Sequence, residues 1–140
     1  MSLNKVLLVC TGNSCRSQMA HGFLSSFSNK ISIYSAGTSP EAVNRHAVEV
    51  MSRVGLNISY YSSNSVQDYL NEEFDFIIFL CKNAKKISPA LKSVNPLILK
   101  QFLDPANAKG TEKEIIEVYK GVRDEIELFM QDFFKNNLNK

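Results

Sequence analysis

Residues 5–17 read "KVLLVCTGNSCRS": a short, unbroken apolar run gives way abruptly to eight residues without one large apolar side chain. Such a run predicts a strand buried on both faces, the kind found in a parallel sheet covered by helices. The rest of the chain alternates accordingly. Residues 16–28 carry Met19, Phe23 and Phe27 at a helical spacing of four, and residues 31–37, "ISIYSAG", alternate as a second strand ending in glycine. Residues 39–55 predict a helix with Ser39 as N-cap, Pro40 at the first helical position and Gly55 as the stop. Residues 65–71 suit a short helix, 74–80 ("FDFIIFL") a strand, and 96–102 ("PLILKQF") a weaker strand. From Thr111 to about Asn136, Ile115, Tyr119, Val122, Ile126, Phe129 and Phe133 recur at steps of four and three. That pattern gives a terminal helix with one apolar face turned to the core.

Alternating strands and helices imply a mainly parallel sheet with helices on both faces, here a single three-layer α/β domain over 1–140. In such folds the chemistry sits at the carboxyl ends of the strands. Cys10 ends the first strand, Cys81 ends "FDFIIFL" and Asp104 follows the last strand, so a parallel sheet brings all three to one rim. A net charge of +2 with no clustered basic patch argues against a nucleic-acid partner. No apolar run approaches the ~20 residues of a membrane span, and the N-terminus lacks the apolar core of a signal peptide. Three cysteines are an odd, low count, which predicts thiols in a reducing cytoplasm and no disulfide scaffold.

The loop after the first strand predicts an anion site. Gly12 can take positive φ, and Asn13 tolerates the left-handed region. The backbone N–H groups of Thr11, Gly12, Asn13, Ser14 and Cys15 then curl around one point, and the start of a helix at Arg16 adds its partial positive charge. Arg16 supplies a planar fork for two oxygens of a tetrahedral oxyanion. The same field favours the thiolate of Cys10, and Ser17 is placed to donate a hydrogen bond to it. A blander reading makes Cys10 a buried strand-end thiol and Arg16 a surface helix residue. Asp104, within "LDPAN", likewise suits either a proton donor or a turn starter.

"VLLVCTGNSCRSQMA" resembles the N-terminal loop of the low-molecular-weight protein tyrosine phosphatase superfamily, and within it the cysteine-relay arsenate reductases. "YSAGT" (34–38) and "DPA" (104–106) match the same family in the same order, and "VRDEI" (122–126) resembles a segment of the reductases' last helix. The resemblance implies a four-stranded parallel sheet, Cys10 as nucleophile and Asp104 as its acid/base partner. The substrate is then a small oxyanion, arsenate or a phosphate ester, with no metal and no cofactor.

A phosphatase needs only water to release phosphate from Cys10. A reductase needs a second thiol, for which Cys81 is the candidate, and an external reductant such as thioredoxin or a low-molecular-weight thiol. Lys82, Lys85 and Lys86 favour the Cys81 thiolate, although a buried strand-end thiol has the same sequence. "CKNAKKISP" (81–89) resembles the reductases' mobile segment, where a further cysteine sits seven residues on; here that position is Ser88. The phosphatases usually carry an aromatic residue after Asp-Pro, whereas this chain has Ala106 and Asn107. Some reductases use a glutamate at the position of His21 to help bind potassium; His21 and His46 read as helix-surface residues. Cys15 either forms an off-pathway disulfide with Cys10 or is inert. The reading is an arsenate reductase-like enzyme, with a phosphatase as the alternative and a non-catalytic oxyanion-binding module as the third.

Overall fold

Residues 4–138 are described by a computed structural model. β1 (Asn4–Cys10), β2 (Ile31–Gly37), β4 (Phe76–Phe79) and β6 (Ile98–Leu99) form one sheet in the order β2-β1-β4-β6, every pairing parallel. β3 (Glu73–Phe74) and β5 (Lys92–Ser93) pair separately, also in parallel. The helices are α1 (Arg16–Phe27), α2 (Arg45–Ser52) and α3 (Glu112–Asn137), and no helix among the described residues is long and apolar enough to cross a membrane.

The unbroken apolar run of β1 has the expected cause: Val6, Leu7, Leu8 and Val9 have no solvent exposure. Side chains alternate between faces, and in-register parallel neighbours share one. Val6 and Leu8 therefore share a face with Phe76 and Ile78, where Phe76 meets Phe133 of α3 edge-on at 5.2 Å. α1 joins that layer through Phe27 and Phe134, whose rings lie 5.6 Å apart. α2 is pinned to α3 by Arg123, whose Nη1 donates to the Val50 carbonyl at 2.9 Å. On the opposite face Tyr34 packs against Tyr69 and Phe74, both at 5.6 Å, and the cover is a 3₁₀ turn, Val66–Tyr69. Helical layers thus lie on both faces, α on one and 3₁₀ on the other.

Several boundaries differ from the sequence expectation. The strand expected over 74–80 is broken at Asp75. The Asp75 carboxylate accepts from Lys5 N at 2.7 Å, so a side chain takes over one rung of the ladder and the two residues before it pair with β5 instead. The strand expected over 96–102 narrows to Ile98–Leu99, although Lys100 N and Phe102 N still donate to Phe79 and Leu80 carbonyls. An unpredicted 3₁₀ segment, Asn83–Ala90, follows Cys81. The terminal helix begins as expected at Thr111, whose side chain forms a capping box with Glu114. Its buried face is wider than the stripe read from the sequence: Ile116, Arg123 and Met130 are buried alongside Tyr119, Val122, Ile126 and Phe133, while Ile115 and Phe129 are only partly covered.

The second helix starts at Arg45, well after the expected Ser39. Asn44 is its N-cap, accepting from His46 N and Ala47 N. Residues 38–44 are not helical, because four of their N–H groups are committed elsewhere. Thr38, Ser39, Glu41 and Asn44 donate to the carbonyls of Cys10, Thr11, Gly12 and Ser14, at 3.3, 2.9, 2.8 and 2.8 Å. This strap lies directly on the loop after β1.

Gly37 is the point where strap and loop meet. A Cβ there would stand 2.5 Å from the Thr11 oxygen and 2.8 Å from Asn13 N, both rigid backbone atoms. Gly37→Ala is therefore expected to lower stability by about 1–3 kcal/mol, read as a lower urea midpoint. Because the loop is displaced, phosphate or sulfate should no longer raise the thermal midpoint of the variant. A normal midpoint with intact anion stabilisation would show that the loop does not depend on this approach.

Candidate active site

Every carbonyl from Cys10 to Cys15 accepts a hydrogen bond from outside the loop's interior. Four go to the strap. The Asn13 carbonyl takes Gln18 Nε2 and Ser63 Oγ, each at 2.8 Å, and the Cys15 carbonyl takes Met19 N at 2.9 Å. Ser63 Oγ also bonds the Glu41 carbonyl, tying strap and loop together. Among the described residues, none of the N–H groups from Thr11 to Ser17 donates to a protein acceptor. A carbonyl turned outward leaves its neighbouring N–H turned inward, so these donors form the concave nest that the sequence predicts.

Asn13 takes the left-handed turn at φ 47°. Gly12, the residue expected to share that conformation, keeps an ordinary negative φ, because one left-handed residue is enough to curl this loop. The Asn13 side chain then organises the nucleophile. Its Nδ2 donates to the Ser35 carbonyl at 3.2 Å, and its Oδ1 accepts from Ser17 Oγ at 2.7 Å. Ser17 Oγ lies 2.9 Å from Cys10 Sγ. With its single proton directed to Asn13, the hydroxyl accepts from a Cys10 thiol; to donate to the thiolate, as the sequence predicts, it must release Asn13.

Arg16 is buried at the start of α1. Its Nη1 donates to the Phe102 carbonyl at 3.0 Å and its Nη2 lies 3.6 Å from Asp104 Oδ2, leaving other donors of the fork for an anion. Asp104 starts a turn, as its sequence allows, and also faces the guanidinium. Oδ1 caps the 3₁₀ turn Pro105–Asn107 by accepting from Ala106 N at 3.0 Å, and Oδ2 faces Arg16. Cys10, Arg16, Asp104, Glu41, Ala106 and Asn107 line one cavity of about 300 Å³. Cys81 joins this rim: its Sγ lies 3.4 Å from Thr11 Oγ1, on the residue next to Cys10. The three expected elements, Cys10, Cys81 and Asp104, thus converge.

Cys10, Cys15 and Cys81 are free and buried. Burial pushes the Cys15 thiol far up, the charges of Cys10 and Asp104 add to the shift, and Arg16 opposes it. Cys15 is held as a thiol, which favours the inert reading. Three contributors had no sequence signal: the strap at residues 38–44, the Phe102 carbonyl that anchors Arg16, and Gln101. The Gln101 side chain accepts from Lys82 N at 2.7 Å and donates to the Phe102 carbonyl at 2.7 Å. A long-range backbone acceptor leaves no mark in composition or spacing.

His21 is not the surface residue expected. Its ring tilts against Tyr61 with centroids 4.8 Å apart, and Nδ1 lies 3.1 Å from Ser35 Oγ. Gln18 Oε1, lining the same recess, is buried without a partner. No carboxylate faces this recess, and among the described residues no group of His, Cys, Asp and Glu is arranged to hold a metal. The residues present do not fit the potassium site of the resembling reductases.

Burial pushes His21 down to about 4 from 6.5. Between those values the unfolded chain binds a proton that the folded chain refuses, so stability is full above pH 6.5 and falls as pH drops towards 4. The loss is up to about 3 kcal/mol, about 1.4 per pH unit. His21→Gln should flatten the difference in urea midpoint between pH 7 and pH 5. An unchanged slope would mean that His21 takes up its proton freely in the folded protein.

The low molecular weight phosphotyrosine protein phosphatase family matches residues 5–140. A protein named arsenate reductase from Halalkalibacterium halodurans is 38% identical over 127 residues, covering 90% of this chain and 91% of that one. One of the same name from Bacillus subtilis is 36% identical over 136 residues, covering 93% and 95%. A solved structure described as an arsenate reductase in oxidized state superposes with a TM-score of 0.80 at 27% identity, covering 96% of this chain and 98% of that one. The chain belongs to the low molecular weight phosphotyrosine protein phosphatase family.

Proposed function

We infer that this protein is an arsenate reductase-like enzyme in which Cys10 attacks an oxyanion held by the 10–17 loop and Cys81 acts as the second thiol. One observation carries the choice: a free thiol, Cys81, sits 3.4 Å from the hydroxyl of the residue next to Cys10. Hydrolysis has no use for it. The names of the relatives at 36–38% identity support the same reading.

In the first step the Cys10 thiolate attacks arsenic and one As–O bond breaks. The leaving oxygen takes a proton from Asp104 and departs as water. Thr11, Gly12, Asn13, Ser14, Cys15 and Ser17 contribute N–H groups that, with Arg16, hold the remaining oxygens. In the second step the Cys81 thiolate attacks Cys10 Sγ. An S–S bond forms, the S–As bond breaks, and its electron pair stays on arsenic, which leaves as arsenite. The disulfide is reopened by an external thiol reductant, thioredoxin or a low-molecular-weight thiol, and no metal or cofactor takes part. Three free cysteines fit a reducing cytoplasm.

The phosphatase reading keeps the first step with a phosphate ester and lets water release phosphate from Cys10. Ser88 favours it, because a hydroxyl cannot carry the disulfide onward to a third position. Ala106 and Asn107 on the cavity wall disfavour it for aryl esters, since neither offers an aromatic platform.

The decisive experiment runs thiol-dependent arsenate reduction and aryl phosphate hydrolysis side by side on the native protein, Cys81→Ser and Asp104→Asn. Cys81→Ser should abolish reduction and spare hydrolysis, and mass mapping after one arsenate turnover should find a Cys10–Cys81 disulfide. Undiminished reduction in Cys81→Ser would reject the relay. Asp104→Asn should lose roughly 10²–10⁴ in both turnovers while still binding phosphate; full activity would return Asp104 to its capping role alone.

Ser88→Cys places a cysteine seven residues after Cys81, the spacing of the resembling reductases, and should raise thioredoxin-driven arsenate turnover with little change in hydrolysis. If the native protein cycles with thioredoxin as fast as the variant, Ser88 is no interruption.

A further inference from the structure

We propose that Gln101 is a positioning residue that couples the grip of Arg16 on an oxyanion to the turn carrying Cys81. The proposal rests on Cys81 being the second thiol. Its geometry stands independently. Gln101 belongs to the segment after β6, where Lys100 N donates to Phe79 O and Phe102 N to Leu80 O, so the backbone on both sides is fixed to the strand leading into Cys81. Its side chain is exposed, yet both ends of the amide are engaged at 2.7 Å, Oε1 with Lys82 N and Nε2 with Phe102 O. A solvated glutamine gains little from one fixed rotamer, so two short bonds at opposite ends mark a bridge and not a surface decoration.

What the bridge joins gives it meaning. The Phe102 carbonyl takes Arg16 Nη1 at 3.0 Å on one lone pair and Gln101 Nε2 on the other. Lys82 N belongs to the residue immediately after Cys81, and among the described residues it has no other acceptor. Cys81 itself is 4% exposed, its thiol beside Thr11 Oγ1. An oxyanion that fixes the guanidinium thereby fixes the carbonyl, the carbonyl fixes the amide, and the amide fixes the turn. The second thiol is then held against the loop at the stage when an adduct on Cys10 needs it.

Gln101→Glu separates the two ends, keeping an oxygen for Lys82 N and removing the donor to Phe102 O. Amide exchange at Lys82, followed by NMR with and without sulfate, should slow several-fold on sulfate binding in the native protein. In Gln101→Glu that gain should vanish while exchange without sulfate stays near native; in Gln101→Ala both should be lost. Single-turnover formation of the Cys10–Cys81 disulfide after arsenate should slow about tenfold in Gln101→Ala, the worth of one hydrogen bond. An equal sulfate effect at Lys82 in native and Gln101→Glu would overturn the coupling. So would an unchanged disulfide rate in Gln101→Ala. Failure of the native protein to form the disulfide at all would overturn the role of Cys81, and the exchange result would still decide whether the bridge transmits anion binding.

Discussion

The outward turn of six successive carbonyls, Cys10 through Cys15, governs most of what this chain does with its first half. A loop of bare N–H groups pointing at one centre is unfavourable by itself, because each buried, unpaired donor costs about 1–3 kcal/mol. The nest persists because the other side of each peptide has a hydrogen-bond donor, in most cases from distant chain. The strap at 38–44 gives up its own chance of being helical to supply four N–H groups. Gln18 and Ser63 serve the Asn13 carbonyl, from α1 and from the segment before the 3₁₀ turn, and Met19 N serves that of Cys15. The cost is met by folding, so on the proposed function an oxyanion meets donors already aimed, which is the condition for electrostatic stabilisation without reorganisation.

The cationic half of the site is fixed by the opposite edge of the sheet. A guanidinium as buried as Arg16 needs partners before any ligand arrives, since an unpaired buried charge is strongly destabilising. Phe102 O and Asp104 Oδ2 are those partners. Both follow β6, whose two-residue length frees the chain early enough to turn back over the cavity. Asp104 is in turn held by its own cap on Ala106 N. The acid and the arginine therefore position one another, and the distance between them depends on how the segment 100–104 lies against β4.

Much of this was legible because it is local. The β1 run, the N-terminus of α1, β2 with its final glycine and the Thr111 cap all declare themselves within a few residues. The convergence of Cys10, Cys81 and Asp104 also followed from parallel topology alone, since it asks only which end of each strand a residue occupies. What escaped was non-local. Ser39 and Pro40 carry a good helix-start signal that loses to the loop carbonyls, a competition invisible to spacing. Asp75 breaks a strand that reads as continuous because its carboxylate finds Lys5 N, 70 residues away in sequence. Gly12 looked like the turn residue, but Asn13 holds the positive φ because only Asn13 also reaches Ser35 and Ser17. His21 reads as a surface residue until the fold brings Tyr61 over it.

Arsenate and phosphate present the same tetrahedron of oxygens, so the nest and Arg16 cannot tell them apart by shape or hydrogen bonding. Discrimination must come after the sulfur adduct forms. A phosphorus adduct offers no favourable reduction, and water finishes the reaction at phosphorus. An arsenic adduct can leave with the electron pair of its bond to sulfur, provided that a second thiol reaches that sulfur first. On the proposed relay the outcome is then a race between water at the arsenic and Cys81 at the Cys10 sulfur. Cys81 stands on the rim beside Thr11, 3.4 Å from its hydroxyl. On the proposed relay, the position of the buried thiol after β4 carries the choice between hydrolysis and reduction, and the elements that fix that position act on chemistry they never touch.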